Sequence, residues 1–493
     1  MSLIQVSNLT FTYDGSYDTI FDHVSVQLDT DWKTGVVGRN GRGKTTFLRL
    51  LCGSYTYSGQ IAANVEFDCF PYEIPDEERD TQTIARSLLP DCEAWQLERE
   101  LNMLEVQLDV LERPFCTLSN GERTKVLLAV LFLRENHFLL IDEPTNHLDL
   151  RARAVVSAYL RRKRGFLLVS HDRAFLDDCV DHILSLNRTD IQVQKGNFSS
   201  WWENKQRQDA FEVAQNEKLE RDINRLEVAE ARTSGWSDAM EKTKRGSRNS
   251  GLRPDTGYIG HKSAKMMKRA KSIEARQREA IEQKSRLRKN IEQIQPLKLS
   301  PLRYHADRLA ELDDVAIQYN GREICRPVNL LVRRGARIAL QGRNGTGKSS
   351  LLKLICGHDI PHTGMVHTGS RLIVSYVPQD ASGLRGNLAE YAQQHGIDRS
   401  LFYAILRKLD FARTQFEKNM DDFSAGQKKK VLLAESLCRQ AHLYIWDEPL
   451  NYIDVYSRMQ IEQLLQECPS TMLFVEHDRA FCDAIATQKI ELE

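Results

Sequence analysis

The sequence predicts an α/β protein: two tandem copies of one phosphate-loop domain, joined by a long antiparallel α-helical hairpin. Three observations predict it. The pattern Gly-x-x-x-x-Gly-Lys-Ser/Thr occurs twice, from Gly38 to Thr45 and from Gly342 to Ser349, with its lysines 304 residues apart. Each copy is followed by an apolar run that ends in Asp-Glu, at Asp142-Glu143 and Asp447-Glu448. Between the copies, the runs from Gly196 to Gly235 and from Gly260 to Pro296 hold no internal proline or glycine. As helix each would be roughly 50 Å long, at about 1.5 Å per residue. The expected divisions are a first domain over 1–197, a hairpin over 198–304 with its tip at 233–260, and a second domain over 305–493.

A chain of 493 residues has room for two or three domains with sizeable cores, and its 41% hydrophobic and 28% charged residues are an ordinary globular balance. No run approaches the roughly 18 consecutive apolar residues of a membrane span. The opening Met1-Ser-Leu-Ile-Gln lacks the basic and apolar regions of a secretory signal. Ten scattered cysteines form no Cys-x-x-Cys pair, and Cys52, Cys356 and Cys438 stand in apolar contexts that suggest buried thiols. These features predict a cytoplasmic, reduced chain with no membrane domain, and they argue against a cysteine metal site.

The first domain opens with a strand pattern, Leu3-Ile4-Gln5-Val6. The strand Gly35-Val36-Val37 and a helix through Phe47-Leu48-Arg49-Leu50-Leu51 flank its phosphate loop, which is the context the motif requires. Gly38, Gly41 and Gly43, with Asn40 among them, let backbone N–H groups approach phosphates. The helix start at Thr45 and Thr46 adds its dipole. Lys44 would meet the β- and γ-phosphates of a nucleotide, and Thr45 would hold Mg²⁺. The second copy supplies Gly342, Asn344, Gly345, Gly347, Lys348, Ser349 and Ser350 in the same order. An aromatic precedes each loop, Tyr13 and Tyr319, placed to stack on adenine; a strand aromatic in the core is the alternative for either.

Further pieces recur in order. Leu118-Ser119-Asn120-Gly121-Glu122 and Phe423-Ser424-Ala425-Gly426-Gln427 each lead through basic residues into Val-Leu-Leu-Ala, a helix start. The apolar runs before Asp142-Glu143 and Asp447-Glu448 read as buried parallel strands whose carboxylates stand at the C-terminal end, where α/β sheets place their ligands. His171 follows Glu143 by 28 residues, and His477 follows Glu448 by 29. A double set in this order is not accidental.

In the linker, the second helical run repeats every seven residues at Met266, Ile273, Ala280, Leu287 and Ile294, with breaks at Gln277 and Lys284, and so reads as a coiled-coil seam. The first run offers a weaker stripe at Leu219, Ile223 and Leu226. From Glu241 to Asn290 there are 16 Lys and Arg against 5 Asp and Glu, a net of +11 in a chain that sums to zero. That surface suits a polyanion, with Lys242, Lys244, Arg245, Arg248 and Arg253 available to phosphates and Trp236 and Tyr258 to bases. A solvated coiled-coil face is the alternative.

The order of adenine aromatic, phosphate loop, Ser-x-Gly signature, Asp-Glu strand and histidine resembles the ATP-binding-cassette ATPases. Two cassettes around a helical hairpin look like the ABC-F proteins, and the resemblance covers essentially the whole chain. Glu143-Pro-Thr-Asn-His-Leu-Asp149 is typical of that group. Trp446-Asp-Glu-Pro-Leu-Asn-Tyr-Ile-Asp454 and Leu118-Ser-Asn-Gly-Glu122 are similar to the Lsa/Vga-type antibiotic-resistance branch. Tyr72 stands 47 residues before Ser119, and Gln379 stands 45 before Ser424, so the first cassette carries no extra arm there.

The resemblance implies two ATPs held between head-to-tail cassettes. Site one would pair Lys44 and Thr45 with Ser424 and Gly426; site two would pair Lys348 and Ser349 with Ser119 and Gly121. Asp142 and Asp447 would hold Mg²⁺, Glu143 and Glu448 would polarise water, and His171 and His477 would contact the γ-phosphate. Gln379 matches the family's glutamine for Mg²⁺ and water, whereas its counterpart is Tyr72; that departure predicts unequal turnover. The implied partner is the 70S ribosome: 23S rRNA and the tRNA exit site, next to P-site tRNA. There the hairpin would displace lincosamides, pleuromutilins and streptogramin A. The alternatives are a housekeeping ABC-F translation factor, the ATPase subunit of a drug exporter, or a DNA-organising ATPase. No residue announces a drug pocket, which favours displacement over drug binding.

Overall fold

The computed structural model describes the chain except residues 1, 15–18, 91, 147, 188–190, 244–267, 269–271, 273–274, 277–278, 280–296, 320 and 493, and the side chains of 226–227 and 229–243. It comprises two compact units: Met1–Trp201 together with Ile294–Glu493, and Trp202–Gln293. The first unit holds both copies of the repeat.

Each copy is built on a parallel sheet. In the first, the strand order is Glu66–Phe70, His137–Asp142, Phe166–Val169, Lys33–Val37, His182–Leu186, and Ile191–Lys195; only the last pairs antiparallel. In the second, the order is Val374–Val377, Leu443–Asp447, Met472–Val475, Arg337–Gly342, and Gln488–Leu492, all parallel. The central strands are buried on both faces, which is why they read as continuous apolar runs rather than alternating ones. A three-stranded antiparallel sheet accompanies each: Thr19–Asp29, Leu3–Thr12 and Ser58–Ala62 in the first copy, and Val328–Arg333, Arg308–Val315 and Met365–Thr368 in the second. The helices Lys44–Leu51 and Lys348–Ile355 pack Phe47, Leu48, Leu351 and Leu352 into the cores between these layers.

Three expectations are corrected. First, residues 297–304, expected within the hairpin, belong to the second copy. Leu297, Leu299 and Tyr304 are buried in its cores, the Leu302 N–H donates to the Ala441 carbonyl (2.8 Å), and the Tyr304 hydroxyl donates to the Ser370 carbonyl (2.8 Å). Second, the long helix runs from Phe198 to Thr243, 46 residues, continuing through Gly235 into the stretch expected as the tip. One glycine inside a helix costs only about 1 kcal/mol, too little to end so long a run. Its stripe is partly formed, with Ile223 buried and Leu219 half-buried. Third, Cys52 stands sulfur to sulfur with Cys69 rather than alone in an apolar setting. Cys52 follows the phosphate-loop helix, which packs against the Glu66–Phe70 strand that carries Cys69. Cys356 and Cys438 are free, half-buried thiols, both pushed up to about 12 by burial.

In the returning run, residues 268, 272, 275, 276 and 279 are helical. The heptad positions Met266, Ile273, Ala280, Leu287 and Ile294 lie outside the described residues. No helix among the described residues is long and apolar enough to cross a membrane.

Candidate active site

Both phosphate loops obey the same local rule. Gly41 and Gly43 (φ 81° and 84°), like Gly345 and Gly347 (87° and 80°), take left-handed backbone that a side chain would strain, so the loop can turn sharply into its helix. Lys44 Nζ donates to the carbonyls of Gly38 (2.9 Å) and Arg39 (3.2 Å), and Lys348 Nζ to those of Gly342 (2.9 Å) and Arg343 (2.7 Å). Burial lowers both lysine pKa values against the pull of nearby carboxylates. Tyr13 Oη lies 2.6 Å from Thr46 Oγ1, and Tyr319 Oη lies 3.0 Å from Ser350 Oγ. Both rings are exposed beside their loops, which excludes the core-aromatic alternative.

At the ends of the Asp-Glu strands, Thr45 Oγ1 donates to Asp142 Oδ2 at 2.7 Å. Both Asp447 carboxylate oxygens are buried with no hydrogen-bond partner, and the Ser349 hydroxyl acts on them without reaching hydrogen-bond geometry. A hydroxyl beside a carboxylate is a hard-oxygen donor set, so the residues at each site fit Mg²⁺, whose remaining ligands would be phosphate and water oxygens. Among the described residues, no group of three His, Cys, Asp or Glu forms a protein-only metal site.

His171 Nε2 stands 3.4 Å from Glu143 Oε1, and His477 Nε2 stands 3.4 Å from Glu448 Oε1. Both glutamates hold left-handed backbone, φ 48° and 47°, a strained conformation of the kind stored at functional sites. Their electrostatics differ. Burial, reinforced by the Asp142 charge, pushes Glu143 up to about 8. Burial also opposes ionisation of Glu448, but His477, Gln379 and Lys348 outweigh it and hold the carboxyl down at about 2. Burial and the Lys44 charge keep His171 well below its usual range. Tyr72, the counterpart of Gln379, donates its hydroxyl to Asp68; Arg134 binds the same carboxylate at 2.9 Å and lies over the Tyr72 ring. Tyr72 is thereby committed to Asp68 and offers site one no amide oxygen.

The first copy's phosphate loop lies against the second copy's signature glycine and the loop after its Asp-Glu strand. Asn40 Nδ2 donates to the Tyr452 carbonyl at 2.9 Å, and a Cβ at Gly426 would lie 3.1 Å from Asn40 Nδ2. Arg39 approaches Asp410 at 3.6 Å and lies over the Tyr456 ring. On the other side, a cavity of about 490 Å³ is lined by Ser119, Gly121, Glu122, Asn344, Gln379 and Glu448 among others, a size within the roughly 300–1,000 Å³ of small-molecule sites. Ser119 and Ser424 each cap their own helix in a capping box with Glu122 and Gln427.

Sequence reasoning missed Arg153 and Arg458. Arg153 binds Asp172 (2.8 Å) and donates to the His477 carbonyl (3.0 Å), reaching into the opposite site. Arg458 binds Asp478, and its charge acts on Glu143 and His171. Both follow the last aspartate of the Asp-Glu motif by four residues, a signal the repeat carries. The proposed nucleic-acid residues Lys244, Arg245, Arg248, Arg253 and Tyr258 lie outside the described residues, as do the side chains of Trp236 and Lys242.

A family profile described as "ABC transporter" matches residues 21–146 and 325–451, more than half of the chain. The ribosome protection protein VmlR of Bacillus subtilis (strain 168) is 26% identical over 99% of this chain and 86% of its own length. The ATP-binding protein Uup of Escherichia coli (strain K12) is also 26% identical, over 99% and 80%. Among solved structures, that of an archaeal ribosome recycling factor, aABCE1, with the stalk protein aP1 overlays with a TM-score of 0.64 at 18% identity, covering 99% of this chain and 87% of that one.

Proposed function

This chain belongs to the ABC transporter family, as a tandem-cassette ATPase of the ABC-F type, and from that premise we propose that it is a cytoplasmic, ribosome-binding ATPase that protects its target from antibiotics. In this reading two ATPs with Mg²⁺ close the cassettes, and the linker then engages 23S rRNA of the 70S ribosome through the tRNA exit site. Hydrolysis releases the protein. Lincosamides, pleuromutilins and streptogramin A are the drugs displaced from the peptidyl-transferase region. The observation that carries the reading is similarity along nearly the whole chain, linker included, to a protein named for ribosome protection. The net +11 between Glu241 and Asn290 supports a polyanionic partner.

Within each site, Lys44 and Lys348 would bind phosphates, Thr45, Asp142, Ser349, Asp447 and Gln379 would serve Mg²⁺, and Glu143 and Glu448 would polarise water beside His171 and His477. The second reading is a drug-free translation factor, kept open because identity is equal to Uup, a relative whose name carries ATP binding and no drug. One experiment separates them. The double variant Glu143→Gln, Glu448→Gln should co-sediment with 70S ribosomes in ATP and leave bound lincosamide or pleuromutilin in the supernatant. Ribosome association with the drug retained supports the second reading; no association rejects both.

A further inference from the structure

The two cassettes differ at one buried place next to their catalytic loops. The repeat aligns Lys429 with Thr124, Leu450 with Thr145, and Glu476 with Ser170. In the first cassette these positions are small hydroxyls that bond locally: Thr124 donates to the Asn120 carbonyl of its own helix (2.9 Å), and the Thr145 and Ser170 hydroxyls lie 3.2 Å apart.

In the second cassette the same space holds a buried cation and a buried carboxylate, each only 2% exposed. Lys429, on the helix that follows the signature, donates to the Pro378 carbonyl (2.9 Å) and to the Glu448 carbonyl (3.1 Å). Its ammonium therefore ties the peptide just before Gln379 to the peptide of the left-handed glutamate. Glu476 accepts from the Leu450 N–H with one oxygen (2.7 Å) and from the His477 N–H with the other (3.1 Å), bridging the loop after Glu448 to the histidine. Glu476 is also the largest opposing charge acting on Lys429. A buried charge is retained at a cost unless it is paired and fully hydrogen-bonded, and both are spent here on catalytic-loop backbone.

We propose that Lys429 and Glu476 are positioning residues for hydrolysis at site two, fixing Gln379, Glu448 and His477 in one constellation that site one lacks. Neither need touch nucleotide. The inference rests on the reading that Glu448 serves site two, and the test separates the two claims.

ATP turnover and thermal unfolding are measured on the full chain carrying Glu143→Gln, so that site two is read alone, with Glu448→Gln as the control for the underlying reading. The double substitution Lys429→Thr, Glu476→Ser installs the first cassette's residues and leaves no buried charge alone; Lys429→Met, Glu476→Gln is a closer match in volume should the first pair unfold. The expected result is an ATP KM within about twofold of the parent, a Tm close to it, and a kcat lower by about tenfold or more, as for a small misplacement of catalytic groups. Lys429→Thr alone should lower Tm, and adding Glu476→Ser should restore Tm but not kcat. A folded double variant with the parent's kcat overturns the positioning role. If Glu448→Gln itself leaves turnover intact, the site assignment fails first and the proposal falls with it.

Discussion

Site one and site two share a backbone and differ in the charges and ties around it. The lysines donate to equivalent loop carbonyls, the histidines stand 3.4 Å from their glutamates, and both glutamates are left-handed. Yet Glu143 is pushed up to about 8, while Glu448 is held at about 2. Site two has Gln379 and the Lys429 tie; site one has Tyr72 bound away to Asp68 and a threonine bonded to its own helix. The repeat has kept the loop-and-strand frame, and a few side chains around the two glutamates have changed. A matched frame is therefore weak evidence for matched turnover.

The steepest way to break the symmetry is at the signature glycines. A Cβ at Gly426 would sit 2.6 Å from the Tyr452 carbonyl oxygen, whereas one at Gly121 would meet Leu148 at an ordinary 3.6 Å. Gly426→Ala, read in a Glu448→Gln background, should thus lower site-one turnover by about tenfold or more, equivalent to about 1.4 kcal/mol of barrier, while Gly121→Ala, read in a Glu143→Gln background, changes site-two turnover by less than about threefold. Steady-state ATPase assays on the two variants decide this.

Tyr72→Gln should act in the other direction. Read in a Glu448→Gln background, site-one turnover rises several-fold as an amide replaces the phenol. Loss of the bond to Asp68 costs stability of about 1 kcal/mol. Unchanged single-site turnover would show that the tyrosine is not what limits site one.

The smallest effect is a pair of opposite signs in stability, read by thermal unfolding in chelator without nucleotide. Glu143 has a folded pKa above its unfolded value, so the stability it contributes is present below about 4.5 and is lost as pH rises through about 8. Glu143→Gln should therefore stabilise the protein near pH 8. Glu448 is depressed, so its contribution is present above about 4.5 and is lost as pH falls through about 2. Glu448→Gln should destabilise at the same pH.

Much of this was legible in the sequence because phosphate binding is backbone chemistry, and glycine spacing records it directly. The parallel strands were legible for the same kind of reason: burial on both faces leaves unbroken apolar runs such as Phe138 to Ile141. Substitution of Tyr for Gln at position 72 was visible, but its destination was not, since Asp68 and Arg134 are joined only when the strands align. Arg153 was invisible because its target is a carbonyl in the other cassette. The pairing of Cys52 with Cys69 and the burial of Leu297 and Leu299 likewise depend on tertiary packing that no local pattern carries.

The most direct test of unequal sites is ATP turnover by Glu143→Gln and Glu448→Gln, each alone, at saturating ATP and Mg²⁺. The account predicts that Glu448→Gln removes most of the turnover and Glu143→Gln only a minor part. Equal losses, or the reverse order, would contradict it.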